Sequence, residues 1–299
     1  MTEISTSRAD AVRIRTHELG VDAPLSARTA AALAGGVRPR RRGWWYMTQY
    51  VLHGMKAYGA TLLVGGIGSP ILYLLGLGLG LAAVIPVSVA DGANGPVSYV
   101  TFVAPALLVT AAVSVTSAEF TFPVMAGFKW RNTFWAINAS PLQPRQMVGG
   151  LILAVTLRIL FITSVYYLVM LIFGAVDRPV VGSLMILTGV LAGLAFGLPL
   201  LAFAASLTQE TGQFALVQRF IFTPLFLFSG TFYPLSTLPE WLQPIGWVSP
   251  VWHGAELGRV LSYGAPMSGA LVLAHVLVLV AMAAIGGYLA ARHFVRRLR

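Results

Sequence analysis

The segment FTFPVMAGFKWRNTFWAINASPLQPRQMVG, residues 120–149, sits between two long apolar runs, and its reading decides the fold. It carries Lys129, Arg131 and Arg145 and no acidic residue, so the positive-inside rule places it on the cytoplasmic side of a membrane. Pro141 and Pro144 stop any helix that precedes them, because each lacks an N–H and restricts the residue before it. The spacing predicts a short helix from Lys129 to about Asn138, lying under the membrane, and then a rigid turn into the next span. Such a part can receive a push from a soluble partner.

The composition outside this segment supports a membrane reading. Of 299 residues, 57% are hydrophobic and only 10% charged, too apolar for a soluble globular chain. The net charge of +10 does not point to nucleic acid, because the basic residues cluster beside apolar spans, where they set topology and meet anionic lipid head groups. Cysteine is absent, which excludes disulfides, thiolate catalysis and Cys-ligated metals.

On the N-terminal side, residues 1–43 are polar and Arg-rich and read as a disordered cytoplasmic tail, ending in the polybasic collar Arg38-Pro39-Arg40-Arg41-Arg42. From Trp44 to Tyr58, Trp44, Met47, Val51, Met55 and Tyr58 share one helical face and Gln49, His53 and Lys56 the other. This predicts an amphipathic helix at the membrane interface. A first span follows at about 61–84, and a second at about 99–122 leads into the basic segment. The many glycines of the first span serve helix packing, since no Gly-x4-Gly-Lys-Ser/Thr phosphate loop occurs anywhere.

On the C-terminal side, spans are expected at about 147–173, 182–207, 213–230 and 270–291. The fourth holds Gly189, Gly193 and Gly197 at i, i+4 and i+8, a small-residue seam for close helix approach. Between the fifth and sixth, Pro234, Pro239, Pro244 and Pro250 break a stretch rich in Phe232, Tyr233, Trp241, Trp247 and Trp252. Short helices re-entering the outer leaflet fit both the prolines and the aromatics. With both termini inside, every Lys and Arg except Arg158, Arg178 and Arg259 falls on the cytoplasmic side.

Six spans with these connections resemble the membrane subunit of ABC-2 type exporters, a family that includes daunorubicin-type drug exporters, nodulation-factor exporters and polysaccharide exporters. The resemblance covers residues 44–299. It is carried by the amphipathic helix before the first span, by Ala139-Ser140-Pro141-Leu142-Gln143-Pro144 and by Phe228-Ser229-Gly230-Thr231-Phe232-Tyr233-Pro234-Leu235. It implies an all-α, type V exporter-like permease in a bacterial inner membrane, not itself an enzyme. The same resemblance implies a second permease copy as a homodimer partner and two copies of a separate ATPase that binds ATP and Mg. It also makes Lys129 to Asn138 the coupling helix, with Trp130, Phe134 and Trp135 as apolar anchors and Lys129 and Arg131 beside them. Floating the loop at the lipid interface is the other reading of those aromatics.

Arg158 lies near the middle of the third span, where a cation normally faces a cavity or a partner. Contact with an anionic or sugar-bearing cargo and a structural ion pair are both open readings. Glu119 and Arg219 are expected in inner ion pairs, and Phe232, Tyr233, Trp241, Trp247 and Trp252 in an outer gate. His253 and Glu256 share a helical face but lack further ligands nearby in sequence, and His275 reads as a polar contact between helices. A proton- or sodium-coupled carrier is the alternative function, yet no carboxylate lies mid-span and no internal repeat is visible. A membrane enzyme would need an acid–base constellation that Asp91, Asp177, Glu240 and Glu256 do not form in sequence.

Overall fold

The computed structural model describes residues 25–76, 80 and 90–299. Helix α1 spans Leu25–Lys56 and α2 Gly59–Leu75, followed by a hairpin of β1 (Ala90–Gly92) and β2 (Gly95–Val97). Helix α3 (Tyr99–Glu119) continues through the turn Phe122–Met125 and a π-helical turn, Ala126–Trp130. Next come α4 (Thr133–Asn138), α5 (Pro144–Ile172), α6 (Met185–Ser206) and α7 (Gln213–Phe228, with a π-helical turn at Gln218–Phe222). The chain ends with α8 (Gln243–Val248), α9 (Pro250–Tyr263) and α10 (Gly269–Arg297).

Among the described residues, four helical stretches are long and apolar enough to cross a membrane: Tyr99–Trp130, Pro144–Ile172, Pro179–Ser206 and Gly269–Arg297. Local chemistry sets their starts. Ser98 and Ser268 cap α3 and α10 by accepting from the Thr101 and Leu271 amides. At α5, Gln143 and Gln146 form a reciprocal capping box and Pro144 takes the first turn, where a missing N–H costs nothing. The first expected span is described only as the 17 residues of α2, and the rest of its expected length, apart from Gly76 and Gly80, lies outside the described residues. The fifth, Gln213–Phe228, is likewise shorter than the four long stretches.

The seam on α6 does what small residues permit. A Cβ on Gly189 would lie 2.7 Å from Leu108, and one on Gly197 would lie 2.5 Å from Thr116. Since Gly193 meets Ala112 between them, α6 and α3 approach along a continuous line, and α3 is buried over most of its length.

Four expectations need revision. The part of the tail from residue 25 is helical and not irregular, and it runs into the amphipathic helix through a kink at Arg42. That helix also packs on protein: Met47 is buried, Val51 and Met55 lean on the core, and Thr48 donates to the Gly150 carbonyl (3.1 Å). The fold is not purely helical, because residues 90–97 pair as an antiparallel hairpin anchored by the Ala93 amide on the Tyr263 carbonyl (2.9 Å). The coupling segment is not one helix from Lys129, since Asn132 adopts a left-handed conformation (φ 54°) between the π-helical turn and α4.

Candidate translocation path and coupling loop

Span two and span three each bring one charged residue to the same place. Arg158, from the middle of α5, donates through Nη1 to Glu119 at the end of α3. The two opposite charges, each largely buried, neutralise each other, which is the arrangement an intramembrane arginine requires. Two cavities meet at this pair. One, of about 380 Å3, lies between α2, α3, α5 and α7 and is lined by Ser69, Tyr73, Thr110, Ser114, Tyr166 and Phe226 among others. The other, of about 700 Å3, opens toward the loop and is lined by Tyr50, His53, Glu119, Trp130 and Arg131 among others. Arg158 belongs to the wall of both. Arg219, expected in an inner ion pair, is exposed on α7 and forms none among the described residues.

The basic loop between α3 and α5 divides by the direction its side chains take. Lys129, Trp130, Arg131 and Trp135 are exposed, Trp130 stacks on Phe122, and Trp135 Nε1 donates to the Phe128 carbonyl (3.1 Å). Phe134 turns inward. It is buried against Phe128 and Phe294, ring centroids 4.8 and 5.2 Å away, and over Gly127, where a Cβ would clash with its ring at 2.3 Å. The left-handed Asn132 changes the register between the two halves, so Phe134 does not share the outward face of Trp130.

The far end of α10 completes this layer, and sequence reading missed it. Phe294 closes the aromatic cluster, and the Arg297 guanidinium lies 4.0 Å over the Phe128 ring. Arg297 Nη1 also donates to the Leu207 carbonyl (2.6 Å) and the Ala205 carbonyl (3.2 Å), satisfying orphan acceptors at the C-terminal end of α6. Asn138 donates to the Leu298 carbonyl (2.8 Å). The available signal was an apolar period that continues past Arg292 to Phe294 and Leu298, a run too interrupted by arginine to read as a helix face.

On the opposite side, the five expected gate aromatics do not form one cluster within the chain. Phe232 packs edge-on to Phe226, and Tyr233 donates to the Leu227 carbonyl (2.9 Å), so both brace the end of α7. Trp252 packs on His253 and His275, while Trp241 and Trp247 point outward, 76% and 53% exposed. His253 Nε2 faces the Trp247 carbonyl at 3.0 Å, and Nδ1 faces His275 Nδ1 at 2.7 Å. With neutral rings, Nε2–H of His253 donates to that carbonyl, and its Nδ1 accepts from His275. Glu256 is taken up by Arg259 (2.6 Å), and no group of metal-ligating residues occurs among the described residues.

Residues 43–263, more than half of the chain, match the model of the ABC-2 type transporter family. The chain is also similar to nodulation protein J of Sinorhizobium fredii (strain NBRC 101917 / NGR234), with 27% identity over 81% of this chain and 88% of that one. Nodulation protein J of Rhizobium meliloti (strain 1021) is 26% identical over 71% and 78%, and that of Neorhizobium galegae 28% over 71% and 78%. The matched region takes in α3 with its basic loop, α5 with Arg158, and the helices that follow up to Tyr263, so this multi-pass membrane protein belongs to the ABC-2 type transporter family.

Proposed function

We propose that the chain is the passive membrane half of an ATP-driven exporter, six-spanning with both termini in the cytoplasm of a bacterial cell. Two copies pair around a central path, and two copies of a separate ATPase, which binds ATP and Mg, dock beneath them. The cargo is a hydrophobic or amphipathic compound, such as a drug-like molecule, a glycolipid or a lipid-linked saccharide. Family membership supports the ATPase partner, and the absence of a phosphate loop from the sequence agrees with it.

The observation that carries the reading is the outward face of the loop. Lys129, Trp130, Arg131 and Trp135 stand exposed on a base packed from within by buried aromatics and by Arg297, so the loop is held on its inner side and open on its outer one. Exposed tryptophan beside arginine is the composition of an interface anchor. Because the loop joins α3 directly to α5, a push on it moves both helices that hold the Glu119–Arg158 pair.

The test is co-purification of tagged protein from native membranes, with an ATPase assay of what comes with it. An ATP-hydrolysing subunit should be recovered, and Trp130→Ala should lower its retention about tenfold or more with unchanged thermal stability. Phe134→Ala should instead lower thermal stability, by about 3 kcal/mol, through the cavity it leaves. A chain that purifies alone and still transports in energised vesicles would overturn the reading in favour of a secondary carrier.

A further inference from the structure

Arg158 has hydrogen-bonding capacity that its ion pair does not use. Nη1 meets Glu119, but the buried Nε has no partner among the described residues. The buried hydroxyl of Tyr166, about two turns along the same helix, has none either. Both residues line the mid-span cavity of about 380 Å3. Leaving a buried donor unpaired is costly, so two in one cavity wall point to something that enters and accepts from them.

The rest of the wall narrows the chemistry. Thr110 and Ser114 also line the cavity, and their protons are already spent on the carbonyls of Ala106 (2.8 Å) and Thr110 (2.9 Å). What they have left for a ligand is oxygen lone pairs. The wall thus combines donors at Arg158 and Tyr166 with acceptors at Thr110 and Ser114, and Phe222 and Phe226 supply an apolar side.

Charge decides between an anion and a neutral group. Glu119 already cancels Arg158, so an anion bound at Nε would leave a net negative charge in a poorly solvated cavity. A neutral hydroxyl fits both halves of the wall, because one oxygen can accept from Arg158 and donate to Ser114. We infer that the mid-span cavity is a headgroup site for a neutral, hydroxyl-bearing amphiphile, with Arg158 Nε and the Tyr166 hydroxyl as its donors. This rests on the exporter reading and names the class of cargo. The loop-side cavity, which shares Arg158, is its approach from the cytoplasmic side.

The inference can be tested by photolabelling the full-length protein in nanodiscs of neutral lipid. One probe is a decyl glucoside with a diazirine beside the headgroup, and the other is decyl phosphate with the same diazirine. Peptides covering 107–118 and 158–166 should carry the glucoside label, and the phosphate should label them weakly. Arg158→Lys keeps a charge opposite Glu119 but lacks Nε, and Tyr166→Phe lacks only the hydroxyl. Each should reduce the glucoside label about tenfold while unfolding at the wild-type temperature. Equal labelling by the phosphate, glucoside label spread evenly over the exposed helix faces, or indifference to both substitutions would overturn the site. Neither ATP nor a second subunit is needed, so a failed exporter reading leaves this result unmoved, and a failed label leaves the Trp130→Ala result unmoved.

Discussion

Arg259 and Arg158 each sit in a carboxylate pair, and the two are not equivalent. Arg259, on the outer helix α9, is 2% exposed and fully engaged: Nη1 on Glu256 at 2.6 Å, Nη2 on the Gly230 carbonyl, Nε on the Phe102 carbonyl at 3.4 Å, and the guanidinium 3.9 Å over the Phe102 ring. Arg158, on α5, has one partner, an idle Nε and a cavity on either side. Saturated bonding makes Arg259 a rivet that joins α9, the turn after α7 and span two. Incomplete bonding leaves Arg158 available to a visitor. The difference lies in the hydrogen-bond inventory, not in the charge.

The largest effect should come from breaking the saturated arginine. Arg259→Met takes the donor from the Gly230 and Phe102 carbonyls and strands a Glu256 carboxylate that is 22% exposed and borders a cavity of about 310 Å3, a loss of about 3 kcal/mol set mainly by the buried acceptors left unpaired. Thermal unfolding of the purified variant, or its level in the membrane, measures this. A variant with wild-type stability would show that the network around Arg259 is dispensable and that the two arginines do not differ in structural role.

Arg158→Met should have the opposite profile. The Glu119 it strands borders the open loop-side cavity and can be solvated there, so stability should fall by only about 1 kcal/mol. Transport in reconstituted vesicles with the ATPase should fall roughly thirtyfold, the scale of one charge-assisted hydrogen bond to cargo. Adding Glu119→Gln sharpens the point, since the double variant should regain stability and not transport. Recovery of transport in the double variant would make the pair a structural one, like its outer counterpart.

The two arginines were also unequally legible in the sequence. A lone cation in the middle of an apolar run announces itself, so Arg158 could be singled out, but its partner lies 39 residues away and no local pattern points to it. Arg259 read as a minor outside charge, because its acceptors at Gly230 and Phe102 are 29 and 157 residues distant and are backbone atoms, which every residue has. The Gly189, Gly193 and Gly197 seam was visible because helical spacing is enough to place a stripe. The orientation of Phe134 was not, because one left-handed residue, Asn132, resets the register that periodicity assumes. Hydropathy and spacing thus recover what lies along one helix, and they fail where the chain turns or where the partner is a carbonyl on another span.

The smallest expected effect concerns Trp241, which belongs to the same outer layer as Arg259 but is 76% exposed and forms none of its bonds. If membership of that layer mattered, Trp241→Ala would lower stability. If bonding is what matters, the change should stay within about 0.5 kcal/mol, as for surface positions with no cap, core or network role. The same variant separates a second possibility, because an aromatic residue at the membrane boundary can act as an anchor without packing on protein. Comparing its unfolding in detergent and in nanodiscs distinguishes the two. No change in either medium assigns Trp241 to the solvent side, a change in nanodiscs alone assigns it to lipid, and a loss of stability in detergent would mean that the outer aromatics hold one another and that bonding like that of Arg259 is not what stabilises this layer.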